Sequence, residues 1–392
     1  MLIRFGFRES LLYPSLFVLF LAIRRIIKYF LEIHLLKLKL SYILVLIMFI
    51  FEIVIGLICL YHRKKKNNSP VTSEFMGIPL TKQVDILKRP DSNLKVVILI
   101  ILASYFEIIG AISRRYLTNN KANNESNLYD EYHARYRSSE IILASLLCLF
   151  TLKLKIYRHH IFSLIVILIC LIIVFITESI CGLDNLSYFL LILVSSICRV
   201  YLDTIEKYLF EVDFVDIYKI TIFEGIVDTI FTSFIYFFKG PKDELIKLVK
   251  LPKEDGTDMF KYWGGILLLI VYGVFSGLKN INRRYTVKSF SPMTRALAES
   301  ILDPIFIIYG YIKNDNKSNE KVIISFIITL ICSFIMVFCS CIYNEIFVLY
   351  CFGLERKTHL FISHTNSNLE LAGNDKNANA SFEDDMERDS VI

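Results

Sequence analysis

The chain has 392 residues, of which 55% are hydrophobic and 21% charged, with a formal net charge of +6. Charges gathered between apolar runs exclude an ordinary soluble globular domain and describe a polytopic membrane protein. The modest positive balance also argues against nucleic-acid binding: the cluster Arg63 to Lys66 directly follows an apolar run and reads as a juxtamembrane anchor.

A membrane-spanning helix needs about 20 mostly apolar residues, and ten segments are expected to cross, giving an all-α polytopic fold. The first is 10–32. Its apolar stretch runs into Arg24, Arg25 and Lys28 rather than a small-residue cleavage site, so it reads as a retained span. The next four are 41–61, 94–113, 138–154 and 160–177. A further five follow at 187–210, 216–238, 262–279, 292–311 and 321–343. Residues 351–392 read as a disordered tail, polar and acidic around Glu383 to Asp385. The nine cysteines lie mostly inside apolar runs with no CxxC pair, so they read as packing residues rather than a disulfide framework or a zinc site. His159 and His160 are adjacent, but without HExxH or spaced histidine boxes they read as part of a cytosolic basic loop, and no metal or other cofactor is expected.

Four sequence echoes recur in order. KYFLEI (28–33) returns as KYLFEV (207–212), and Phe51-Glu52 returns as Phe223-Glu224. ISRRY (112–116) returns as INRRY (281–285), and Arg137 with Glu140 returns as Arg295 with Glu299. Offsets that drift only as loop lengths would make them indicate a duplicated unit, residues 1–180 and 181–350. Five spans per unit is odd, so the second copy enters the membrane from the opposite face and the expected fold is an inverted repeat, with a site near the midplane. Positive charge leans only weakly toward a cytosolic N-terminus, and the sequons at Asn67, Asn124, Asn185, Asn316 and Asn379 fall on both faces.

Ionisable residues inside spans carry the functional reading, because each costs at least about 2.5–3.5 kcal/mol in hydrocarbon and normally faces the bundle interior. Arg295, Glu299 and Asp303 share one helical face, and Arg199, Asp203, Glu206 and Lys207 are similarly stacked. Glu224 and Asp228 stack similarly, and Glu52 and Glu107 interrupt the second and third spans. Inversion would place Lys28, Arg114, Arg115 and Arg137 at one membrane face and Lys207, Arg283, Arg284 and Arg295 at the other. Such clusters suit phosphate or carboxylate groups. Arg114, Arg115, Arg283 and Arg284 read as snorkelling to headgroups. Lys28, Arg137, Lys207 and Arg295 are the candidate solute-binding residues. Glu52, Glu107, Asp203, Glu224, Glu299 and Asp303 are candidate coupling groups or counter-ions.

Four stretches resemble the ten-span drug/metabolite transporter superfamily, and most closely the nucleotide-sugar-transporter-like solute carriers. They are RYRSSEIILASLLCLFTLKLKIYRHH (135–160), MFIFEIVIGLICLYHRKKK (48–66), DTIEKYLFEVDFVDIYKITIFEGIVDTI (203–230) and TRALAESILDPI (294–305). The resemblance covers roughly 11 to 350. It implies alternating access, a solute site between the first four spans of each half, and a small organic anion such as a nucleotide sugar or phosphorylated metabolite as the partner. It further implies an endomembrane location of Golgi, ER or lysosomal type rather than the plasma membrane, leaves room for a homodimer, and implies no enzymatic activity. The alternative is a transport-inactive scaffold or assembly subunit that keeps the fold, which the scarcity of Gly and Pro would suit.

Overall fold

The computed structural model describes residues 3–5, 12–31, 41–67, 93–120, 134–151, 156–181, 186–211, 213, 215–239, 259–313 and 320–349. The expected disordered tail lies outside the described residues. So do the side chains of Arg114 and Arg115.

Eleven helices are described. In order they are α1 Leu12–Phe30, α2 Ser41–Asn67, α3 Asn93–Asn120, α4 Ser139–Thr151, α5 Arg158–Cys181 and α6 Leu186–Glu211. Then come α7 Ile217–Lys239, α8 Met259–Ser289, α9 Pro292–Ser300, α10 Asp303–Lys313 and α11 Glu320–Tyr343. Helix thus occupies each expected segment. Among the described residues, five stretches are long and apolar enough to cross a membrane: Ile43–Lys65, Arg158–Cys181, Ile217–Phe237, Trp263–Ser289 and Glu320–Tyr343.

Side-chain placement is that of an integral membrane protein. Phe150, Phe234, Ile331 and Phe334 face outward, whereas Glu52, Asp203, Arg284 and Arg295 are fully buried. Hydrocarbon solvates the first set at no cost, and only protein partners can satisfy the second.

Two helix boundaries differ from expectation for identifiable reasons. The eighth segment was expected to end at Lys279, where the apolar run stops, yet α8 continues to Ser289. Carboxylates on neighbouring helices neutralise Arg283 and Arg284, so the polar stretch stays helical and buried. The ninth segment is broken between Ser300 and Asp303. Ser291 caps α9 by accepting the Thr294 N–H at 3.1 Å, with Pro292 in the first turn. Pro304 lacks an N–H and its ring would crowd the Ser300 carbonyl, so the chain turns and restarts as α10.

The helices α1 and α8 pack together, as do α3 and α6, and α5 lies along α11. Helix α2 is wedged between α7 and α8. Scarce glycines are spent there: Gly273 and Gly277 of α8 face Phe51 and Ile55, while Gly225 of α7 faces Ile53. Four-residue spacing of small residues lets two backbones approach closely. A core of Ile141, Ile167, Val174, Ile192 and Met336 with Cys170, Cys332 and Cys339 ties α4, α5, α6 and α11 together. The cysteines therefore serve packing, as expected, and the eight described thiols are free.

Two short strands complete the described structure. β1 (Ile3–Phe5) precedes α1 and pairs antiparallel with β2 (Phe347–Leu349), which follows α11; Ile3 opposes Leu349 and Phe5 opposes Phe347.

Candidate functional site

Helical spacing puts the charged residues of α6 in register. Arg199, Asp203 and Glu206 recur at one and two turns, and each meets a partner on another helix. Asp203 Oδ1 accepts from Arg283 Nη1 at 2.5 Å, and its Oδ2 accepts from Arg295 Nε at 2.6 Å. Glu206 Oε1 accepts from Arg283 at 2.5 Å and from Arg284 Nε at 2.9 Å. The other two nitrogens of Arg284 reach Glu52 of α2 and Glu224 of α7. Glu52 is further held by the Asn280 amide at 2.7 Å.

Around the broken ninth segment the same pattern repeats. Arg295 Nη1 donates to Glu140 of α4 at 2.6 Å, and Arg199 pairs with Glu299. Arg137, just before α4, pairs with Asp303 at 2.7 Å and donates to the Glu299 carbonyl at 3.1 Å. Five guanidiniums and seven carboxylates thus form one continuous buried chain. An arginine fork suits this task because its nitrogens can serve two or three carboxylates at fixed geometry.

These positions bear on the expected roles. Arg283 and Arg284 do not snorkel: they are buried and carboxylate-bound, because acids from α2, α6 and α7 converge on them. Arg137 and Arg295 are equally buried and paired. The expected one-turn pairing of Arg295 with Glu299 is loose at 3.7 Å, since Glu140 and Asp203 lie closer to the guanidinium. Lys207 does not pair with Asp203 or Glu206. Its ammonium donates to the carbonyls of Lys288 and Phe290 at 3.0 and 2.8 Å and pairs with Glu211 at 2.9 Å, which places a cation at the C-terminal end of α8. Lys28 is half-buried on α1 with its charge acting on Tyr272 of α8. Glu107 is half-buried on α3, and its charge acts on Glu52 and Asp228.

Three residues that the sequence reading left out of the solute site stand apart from this chain of pairs. Lys279 of α8 is 7% exposed and makes no hydrogen bond or ion pair among the described residues. The charges that act on it most strongly are Arg24 of α1, the carboxylate of Glu299, Arg199 of α6 and Arg283. Arg24 donates to the Tyr272 hydroxyl at 3.1 Å and lies 5.4 Å from the ring centroid. Cationic side chains of α1, α6 and α8 therefore act together on the buried Lys279. The signal that could have found it was the i, i+7 spacing of Tyr272 and Lys279 on one face of α8.

His159 and His160 are in the first turn of α5 rather than in a loop, and His159 is buried. With Glu345 they bring three ligand atoms within 4.8 Å of one another. The fit to a metal is poor: the three residues offer at most three ligands where zinc wants three or four, and His160 Nδ1 already accepts the Tyr157 N–H at 3.1 Å.

No protein-family model matches the chain, and no curated protein is significantly similar to it in sequence.

Proposed function

We propose that the protein is a membrane solute transporter of the drug/metabolite type, working by alternating access and moving a small organic anion such as a nucleotide sugar or a phosphorylated metabolite. The observation that carries this reading is Lys279, buried without a hydrogen bond or ion pair among the described residues and under the charges of Arg24 and Arg199. Burial of like charges is costly unless something neutralises them, and an anionic solute would do so.

The proposed architecture is ten spans in two inverted halves, and helix packing supports it. Exchanging each of the first five spans with its counterpart five later turns the α1–α8 contact into the α3–α6 contact and the α2–α8 contact into the α3–α7 contact. The same exchange turns α4–α6 into α1–α9, while α2–α7 and α5–α11 map onto themselves. Pairing of β1 with β2 brings the chain back to the face from which it started, which requires an even number of crossings.

The test is uptake by reconstituted protein of radiolabelled nucleotide sugars and other organic anions, with Lys279→Met as comparison. Saturable uptake of one anion is expected, reduced at least about tenfold in the variant, the equivalent of one lost charge-assisted contact. One observation favours the scaffold reading: the arginine–carboxylate chain is so fully paired that it would also suit a static support. On that reading Lys279→Met would leave every measured property but stability unchanged.

A further inference from the structure

Acids of α2, α3 and α7 act on one another in the interior. Asp228 of α7 lies one turn beyond Glu224, is 0% exposed, and neither of its carboxylate oxygens has a hydrogen-bond donor among the described residues. Glu224 spends only one oxygen on Arg284, and its Oε1 is also without a donor. Helix α7 packs against α2, α3 and α8. The charges these present to Asp228 are Glu52 from α2, Glu107 from α3 and Arg284 from α8, with Glu224 on α7 itself. Three acids thus act on a fourth, and Arg284, the cation among these charges, already serves Glu52, Glu206 and Glu224.

Sequence alignment of the two halves separates these acids from the structural network. On the offset of 172 residues that sets Glu52 on Glu224, Asp228 falls on Gly56; on the offset of 169 that sets Arg115 on Arg284, Glu107 falls on Ser276. The repeated charges Arg137 and Arg295 are buried in carboxylate pairs that brace the helices, as are Glu52 and Glu224 against Arg284. Asp228 and Glu107 have no charged counterpart in the other half, and both oxygens of Asp228 stand outside that bracing.

We propose that Asp228, facing Glu107, is the binding site for a monovalent coupling cation, a proton or sodium ion. This rests on the transporter reading. Occupancy by a cation neutralises the acid cluster beside Arg284 while the anion is held at Lys279. Loss of that cation would set the buried acids against one another, so the cation-bound and cation-free proteins favour different arrangements of α3 and α7. That differential is what a coupling ion needs in order to drive a conformational cycle. It also moves the coupling role from Glu52 and Glu224, which Arg284 occupies, to an acid whose oxygens are open.

The test uses the full-length protein in detergent and dicyclohexylcarbodiimide, an apolar reagent that couples to protonated carboxyl groups. Peptide mass mapping is expected to find the adduct on Asp228, at a yield that falls as pH is raised from 5 to 8. If sodium shares the site, 100 mM NaCl protects Asp228 where choline chloride does not, in keeping with roughly complete occupancy well above a dissociation constant. If the proton is the sole ion, the two salts give equal yields. In Asp228→Asn the adduct should vanish while labelling elsewhere persists. Absence of an Asp228 adduct from the wild-type protein at every pH in both salts overturns the proposal, as does a yield indifferent to pH and to sodium. Labelling does not require uptake, so a labelled, cation-sensitive Asp228 in a protein that transports no anion would leave this site standing and sink the transporter reading instead.

Discussion

Arg295 of α9 donates to Glu140 of α4 at 2.6 Å, while Arg137, one turn before Glu140, donates back to the Glu299 carbonyl one turn beyond Arg295. Two segments 155 residues apart are thus clasped in both directions. Neither contact exists within one half alone.

Removing both partners of the Arg295–Glu140 pair should cost less than the sum of removing each. Arg295→Gln or Glu140→Gln alone leaves a buried charge uncompensated and is expected to destabilise by about 3–5 kcal/mol. The double variant should lose clearly less than the sum, with a coupling of about 1–3 kcal/mol. Thermal unfolding of the four proteins in one detergent measures it. Simple additivity would mean that the two residues do not pair.

At Arg284 the geometry of the fork matters as well as its charge. Three nitrogens serve three acids on α2, α6 and α7, and a lysine ammonium cannot reproduce that planar spread. Arg284→Lys is expected to recover less than half of the stability lost in Arg284→Met. Equal melting temperatures for the lysine variant and the wild-type protein would show that charge alone suffices.

Lys207 should behave as a helix-end residue. Removing its ammonium strands the Lys288 and Phe290 carbonyls, so Lys207→Met is expected to cost about 1.5–3 kcal/mol, the usual worth of hydrogen bonds to a charged group. Anion uptake per folded molecule should be unchanged. Loss of uptake at full stability would return Lys207 to the solute site.

The α2–α8 contact is set by the absence of side chains. A Cβ on Gly277 would lie 2.6 Å from Ile55 Cδ1 and 3.1 Å from the Phe51 carbonyl oxygen. The isoleucine tip can move aside, but the carbonyl cannot. Gly277→Val is expected to destabilise by about 1–3 kcal/mol. Gly264→Val on the same helix, where a Cβ meets nothing within 4 Å, should be nearly neutral by the same melting assay.

Packing of α5 on α11 can be trapped covalently. Cys170 of α5 and Cys332 of α11 share one buried cluster, and each thiol acts on the other. Oxidation by copper-phenanthroline in membranes should join the two peptides, seen as a linked pair in a non-reduced digest and lost in Cys332→Ser. Failure to link them would mean that the two helices are not adjacent in the membrane.

Helix positions were legible because their cause is local. An apolar run of sufficient length commits its own backbone to helix in a membrane, where no other element can satisfy its N–H and C=O groups, and every expected segment is helical. Boundaries at charges were less legible. Arg283 and Arg284 read as the end of a span because nothing near them in sequence could neutralise them, whereas their acids come from α2, α6 and α7. Lys279 was passed over for the same reason in reverse: it looked like a terminal lysine until α1 and α6 enclosed it.

By itself, then, the sequence determined that this is a membrane protein of apolar helices with ionisable residues in their interiors, since hydropathy is a property of each segment alone. Only the tertiary structure decided which of those charges support the fold and which are left over. Arg284 and Glu52 meet across 232 residues, and helical spacing within a segment carries no record of what faces it from another. A charge is structural or available for a ligand according to whether that opposing group arrives.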